Sequence, residues 1–169
     1  FEFSAGDYSI GVKYLINNLT AEPWQANFYG QIRRDSKPPL VTSSGGVMPF
    51  LGAAIREEDK NYAKYDFGDM EDESVRATIQ GGWVAMVQHY FVSAWVPPAE
   101  DKNVFSLRKR SGKDLYLMDY TGQRISVAPG GSSEYRAQFY VGPKDQERLA
   151  RLADYLDLTI DYGFLWMVA

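Results

Sequence analysis

The sequence predicts a mainly β fold, two antiparallel sheets packed as a sandwich with one helix near the carboxyl end. Three observations carry this expectation: period-two alternation in several segments, turn residues that punctuate the chain at short intervals, and a single stretch of helical periodicity. In a strand, successive side chains point to opposite faces, so alternation marks one buried and one wet face. Many short strands separated by Gly, Pro, Asn and Ser signals favour a sandwich over a parallel α/β fold. The chain has 169 residues, enough for one domain with a sizeable core.

Taken in order, Tyr8, Ile10, Val12, Tyr14 and Ile16 alternate with more polar residues and predict a half-exposed strand. Asn17-Asn18 opens a polar break, and Trp24 to Ile32 is the next strand. Lys37-Pro38-Pro39 belongs in a loop or at an edge, because proline cannot donate to a ladder. Ser43-Ser44-Gly45-Gly46 follows, then a weak strand from Val47 to Ile55. Residues 56–73 are acidic and predict a surface stretch with a short strand near Tyr65-Phe67. Val75 to Ile79 alternates again, and Gly81-Gly82 reads as a turn or bulge.

GGWVAMVQHYFVSAWVPP, residues 81–98, is the most apolar internal stretch. A spanning helix needs about 20 apolar residues, and Gln88 and His89 sit at the centre of a shorter run. Diglycine before it, diproline after it, and its β-branched and aromatic content predict core β, either one strand buried on both faces or two meeting near Gln88. Val104 to Leu107, Leu115 to Tyr120, Ile125 to Val127 and Glu134 to Val141 are further strands. Ser111-Gly112, Thr121-Gly122 and Pro129-Gly130-Gly131 are the turns between them. After Gly142-Pro143, KDQERLARLADYL places Leu149, Leu152, Ala153 and Leu156 on one helical stripe. These readings divide the chain into a sandwich over residues 1–143, a helix packed on it over 144–157, and a link over 158–169.

Composition excludes several classes of function. A net charge of −4 and the lack of a basic stripe argue against a nucleic-acid partner. Arg108-Lys109-Arg110 reads as a solvated turn flank. Without cysteine there is no disulfide, thiolate metal site or cysteine nucleophile. His89 is the only histidine and has no motif around it, so it is expected to be structural, within an apolar strand. Asp69 to Glu73 lacks the alternating ligands of a calcium loop, and the glycine pairs do not lead into helices as phosphate loops do. No cofactor is expected. Trp83 and Trp95 could stack on a sugar, but their surroundings favour a core position. The end of the chain, FLWMVA, places Phe164, Leu165, Trp166, Met167 and Val168 in one apolar run. Such a run either packs back onto the domain or meets the headgroup boundary of a bilayer.

Two blocks together resemble a known family. Gly81 to Met86, Tyr90, Phe91, Ala94, Trp95 and Pro97 form the first, and Val141 to Pro143, Leu156 to Thr159, Asp161 to Gly163 and Phe164 to Trp166 form the second. Their order and spacing resemble the periplasmic domain of the bacterial membrane protein insertase YidC. Gly6-Asp7-Tyr8 and Tyr65-Asp66-Phe67 extend the likeness, while residues 20–60 match loosely. The family's domain has a further β-rich half before the region matching Phe1, and membrane helices on either side. The resemblance implies a β-supersandwich akin to the galactose-mutarotase fold, held in the periplasm at the bacterial inner membrane. It implies an accessory, non-catalytic role beside the Sec translocon's accessory subunits and nascent membrane proteins. It also implies that Phe164, Leu165, Trp166, Met167 and Val168 begin an interface-lying segment leading to the membrane. Two competing expectations are a carbohydrate-binding or mutarotase-like sandwich, and a holdase that captures extended segments at a free sheet edge.

Overall fold

The computed structural model describes residues 1–38 and 50–160. The strands are β1 (Glu2–Phe3), β2 (Ser9–Asn17), β3 (Trp24–Arg34), β4 (Gly52–Ile55), β5 (Ala63–Asp66), β6 (Val75–Gln80), β7 (Val84–Val87), β8 (Phe91–Val96), β9 (Lys102–Lys109), β10 (Tyr116–Val127) and β11 (Ser132–Pro143). Two short α-helices, α1 (Phe67–Asp72) and α2 (Gln146–Leu152), and a 3₁₀ helix (Leu156–Thr159) complete the described chain. Seven strands form one sheet in the order β1-β2-β11-β8-β7-β4-β5, and four form the other in the order β3-β10-β9-β6. Every pairing is antiparallel.

The sandwich core lies between the sheets. Ala53, Ile55, Val84 and Met86 of the larger sheet meet Phe28, Phe105, Leu107, Tyr116, Met118 and Tyr120 of the smaller one. Aromatic residues dominate it: Phe28 stacks on Tyr135 with centroids 4.5 Å apart, and Trp95 lies 4.5 Å from Phe139 and 5.8 Å from Tyr120. Gly30 makes this packing possible, since a Cβ there would come within 2.5 Å of Tyr120 and 2.9 Å of Trp95.

A second core covers the outer face of the larger sheet. Ala54, Ala85, Val87, Val92, Ala94, Val96 and Tyr140 point away from the sandwich and are covered by Leu149 of α2 and Leu156 of the 3₁₀ helix. Odd and even positions of β7 are therefore both buried, which accounts for the unbroken apolar run in the sequence. The stretch from Trp83 to Val96 is a hairpin of two strands, with the Gln88 amide donating to the Phe91 carbonyl at 2.9 Å. Gly81 and Gly82 both have positive φ, 66° and 79°, and turn the chain into it.

Several expectations need correction. His89 is not inside a strand: it is exposed in the β7–β8 turn, its ring against Tyr90. Thr121-Gly122 is no turn; β10 runs through it with a register shift between Thr121 and Arg124, because pairing with β3 holds on both sides. The acidic stretch contains α1, capped reciprocally by Asp66 and Asp69, with Met70 buried. The carboxyl-terminal helix is shorter than its apolar spacing suggests. Pro143 is the last residue of β11, paired with Phe91, and Asp145 is the N-cap. Leu156 keeps its place in the stripe from the 3₁₀ helix instead. Pro39, Ser43 to Gly46, residues 47–49 of the expected Val47 to Ile55 strand, Asp161 to Gly163 and Phe164 to Val168 lie outside the described residues.

Candidate functional site

The α2–3₁₀ unit is mounted on the sheet by specific groups. Asp145 accepts a hydrogen bond from the Arg148 amide at 3.0 Å and so satisfies one free donor at the start of α2. Trp83 is fully buried, and its indole N–H donates to the Asp154 carbonyl at 3.0 Å. Tyr155 has φ 65° and links the two helices, with the Arg56 guanidinium 5.3 Å from its ring centroid. Within the 3₁₀ helix, the Thr159 hydroxyl donates to the Leu156 carbonyl at 2.7 Å, which lets a polar side chain be buried without loss.

Beside this unit runs a groove. One portion, of about 540 Å³, lies between the last turn of α2, the Gly81-Gly82 turn and the Pro97 to Glu100 loop. A second, of about 350 Å³, continues past Gln138, Arg151 and Leu152 towards Asp7 and Tyr140. Four arginines line the two portions: Arg56, Arg136, Arg148 and Arg151. Arg148 lies 3.6 Å from Asp7 and 3.6 Å from Asp145, and Arg136 pairs with Glu134. Trp83 reaches the groove only with its buried edge, and Trp95 packs between the sheets, so neither offers a free face for stacking on a sugar.

Several charged groups of the smaller sheet are paired. On its outer face Asp119 is almost wholly buried and accepts from Arg108 at 2.7 Å, Tyr29 at 2.8 Å and Gln31 at 3.0 Å. Burial, with the Asp119 carboxylate next in weight, pushes the Tyr29 hydroxyl above its ordinary range. Arg108 is thus the half-exposed cation of an ion pair whose carboxylate is buried, rather than a free turn flank, and Lys109 reaches Glu71 at 2.7 Å. Hydrogen bonds from Lys109 and Tyr116 hold the Glu71 carboxyl below its usual range. In the Pro97–Asp101 loop, burial raises the Asp101 carboxyl, with Glu100 adding to the effect and a 2.5 Å bond from Gln123 opposing it. Among the described residues no group of three or more His, Asp or Glu side chains could hold a metal ion. No helix among them is long and apolar enough to cross a membrane.

The described chain is thus a β-sandwich whose larger sheet carries a helical cover and a groove on its outer face. The whole chain, residues 1–169, matches the family model described as the YidC periplasmic domain, and the chain belongs to that family. It is 50% identical over 169 residues to the membrane protein insertase YidC of Cellvibrio japonicus, a match covering all of this chain and 31% of that protein. The corresponding protein of Aeromonas hydrophila is 43% identical over 171 residues, covering all of the chain and 31% of the relative. That of Azotobacter vinelandii is 42% identical over 170 residues, covering all of the chain and 30% of the relative. The chain therefore spans about a third of the length of these relatives.

Of the two blocks that carry the family resemblance, Trp83, Ala85 and Ala94 of the first and Leu156 of the second lie at the mount. The Asp119 cluster and the Arg56–Tyr155 pair were missed. Their partners are 11 to 99 positions apart, and no local pattern connects them.

Proposed function

We propose that this domain is a non-catalytic interaction module that assists insertion and folding of inner-membrane proteins from the periplasmic side, alongside the Sec translocon. The observation that carries the reading is family membership over the whole chain. The chemistry of the described side chains agrees with it. Asp119, Glu71 and Glu134 are each held by cations, and His89 stands at a hairpin tip rather than in a cleft. Insertion itself would then belong to parts of the polypeptide beyond these residues, with nascent membrane proteins and Sec accessory subunits as partners.

The part of the 158–169 link that follows the 3₁₀ helix brings the domain to the membrane in this proposal. Phe164, Leu165, Trp166, Met167 and Val168 would lie at the headgroup boundary, where tryptophan and aliphatic side chains are both accommodated. The test compares liposome binding by the 169-residue chain with that of a chain ending at Tyr162. The longer chain should bind and the shorter one should not; equal binding removes the membrane role of the link.

A further inference from the structure

We propose that the outer face of the smaller sheet docks an acidic protein surface, with Arg33, Arg76, Lys102 and Arg124 as the contact cations. This rests on the reading of the domain as an interaction module, and it names a face and the chemistry of the partner.

Alternation fixes which side chains lie on that face. Phe28 and Ile32 of β3, Met118 and Tyr120 of β10, Phe105 and Leu107 of β9, and Ala77 and Ile79 of β6 pack into the sandwich. The residues between them therefore point outward. Ile125 packs on the same core, so Arg124, beyond the register shift in β10, points outward as well. The cations on this face are Arg33, Arg76, Lys102, Arg108 and Arg124. Asp119 is the only acidic residue in the four strands, and it is already paired with Arg108. No carboxylate among the described residues forms an ion pair with Arg33, Arg76, Lys102 or Arg124. Neutral amides orient two of them: Arg33 donates to Gln31, and Arg124 donates to Gln25 at 3.4 Å. The chain as a whole carries a net charge of −4, so the face is a local reversal of sign. No basic stripe appears in the sequence because these residues come from four different strands.

The α2–3₁₀ unit covers the outer face of the larger sheet, whereas Arg33, Arg76, Thr78, Lys102, Arg124 and Ser126 are all exposed on this one. Side-chain type selects the occupant. All but one of the cations are arginines, whose planar guanidiniums match carboxylates in two-pronged pairs. Asp119, held by Arg108, Tyr29 and Gln31, shows how the donors of this face take a carboxylate. Acyl chains find no seat here, since Leu117 is buried and Val104 half-buried. From Gln25 to Arg33 an extended strand covers about 27 Å, and four strands about 5 Å apart span about 15 Å. The face is therefore on the order of 400 Å², about half of the roughly 800 Å² that each partner buries in a standard interface. A contact of that size is weak, electrostatic and screened by salt.

Photocrosslinking suits such a contact. The full-length protein, in inner-membrane vesicles, carries a photoreactive amino acid at Thr78 or Ser126 on this face, or at Ala150 on α2 across the sandwich. Attachment sites on the adducts are mapped by mass spectrometry. Positions 78 and 126 should give protein adducts attached within segments rich in Asp and Glu. Their yield should fall severalfold between about 0.05 and 0.5 M salt, as the screening length shortens. It should fall similarly when Arg33→Gln, Arg76→Gln, Lys102→Gln and Arg124→Gln are combined, a change that leaves the Arg108–Asp119 pair intact. Arg33→Lys, Arg76→Lys and Arg124→Lys together should retain most of the yield, which separates lost charge from a damaged fold. Lipid adducts, attachment to segments without an acidic excess, or yields indifferent to salt and to the Gln variant overturn the inference. Protein adducts confined to position 150 also overturn it and leave the interaction module standing. No protein adduct at any of the three positions overturns the two together.

Discussion

Trp83 ties the α2–3₁₀ unit to the sheet by packing and a hydrogen bond, and its loss should release that unit before the sandwich. The side chain is fully buried, packs near Tyr62 with centroids 6.1 Å apart, and donates to the Asp154 carbonyl. Trp83→Phe keeps much of the ring but leaves that carbonyl without its donor, a loss of about 1–3 kcal/mol for a buried group. Trp83→Ala also opens a cavity, and large-to-small changes of this kind cost about 3–5 kcal/mol. Against a domain stability of about 5–15 kcal/mol, the second change is severe and the first is tolerable. The assay is native-state hydrogen exchange on Trp83→Phe. The Leu149, Ala153 and Leu156 amides, which bond to Asp145, Leu149 and Ala153, should lose protection. Those of β9 and β10 in the other sheet should change much less. Equal loss at all sites, or no loss at Leu149 and Leu156, would refute the idea that this tryptophan holds the mount.

Three further outcomes follow from the charged and glycine positions. Arg108→Ala should destabilise by about 1–3 kcal/mol by leaving the buried Asp119 carboxylate without its cation, while Arg108→Ala with Asp119→Asn should recover part of the loss; urea denaturation of the three proteins reads both values. Asp101→Asn should stabilise at neutral pH. Burial raises the carboxyl, so the folded state favours its protonated form, and the cost of charging appears as pH rises through the acid range. The advantage of the Asn variant should therefore shrink as pH falls; denaturation midpoints at pH 7 and in the acid range check the sign, and an advantage that grows on acidification contradicts it. Gly30→Ala should lower the thermal midpoint by overpacking Tyr120 and Trp95, at a cost of about 1–3 kcal/mol.

The strands were legible where alternation or an apolar run was long. β2, β3, β6 and β11 follow their sequence patterns within a few residues, because one face of each is committed to a core. The Trp83 to Val96 hairpin was half legible: its burial was evident, but its turn contains Gln88, His89 and Tyr90, which lack glycine or proline to announce it. Thr121-Gly122 misled in the opposite sense. There the glycine accommodates close approach, since a Cβ would lie 3.0 Å from the Tyr135 hydroxyl. α1 is too short for periodicity, and only Asp66 and Asp69 mark its start. The α2 stripe was found from Leu149, Leu152, Ala153 and Leu156, yet the helix breaks at Ala153 and Tyr155 enters the left-handed region. Period alone does not reveal such a break when both pieces bury the same face.

The most direct test of the account is photocrosslinking in inner-membrane vesicles during insertion of a nascent membrane protein. Probes are placed in the full-length protein along β3, in the groove at Gln138 and on α2 at Ala150, all at exposed or half-buried positions. The account predicts adducts to a Sec accessory subunit or to the nascent chain, clustered on one face of the domain. Insertion proceeding normally with no protein adduct at any of these positions would contradict it.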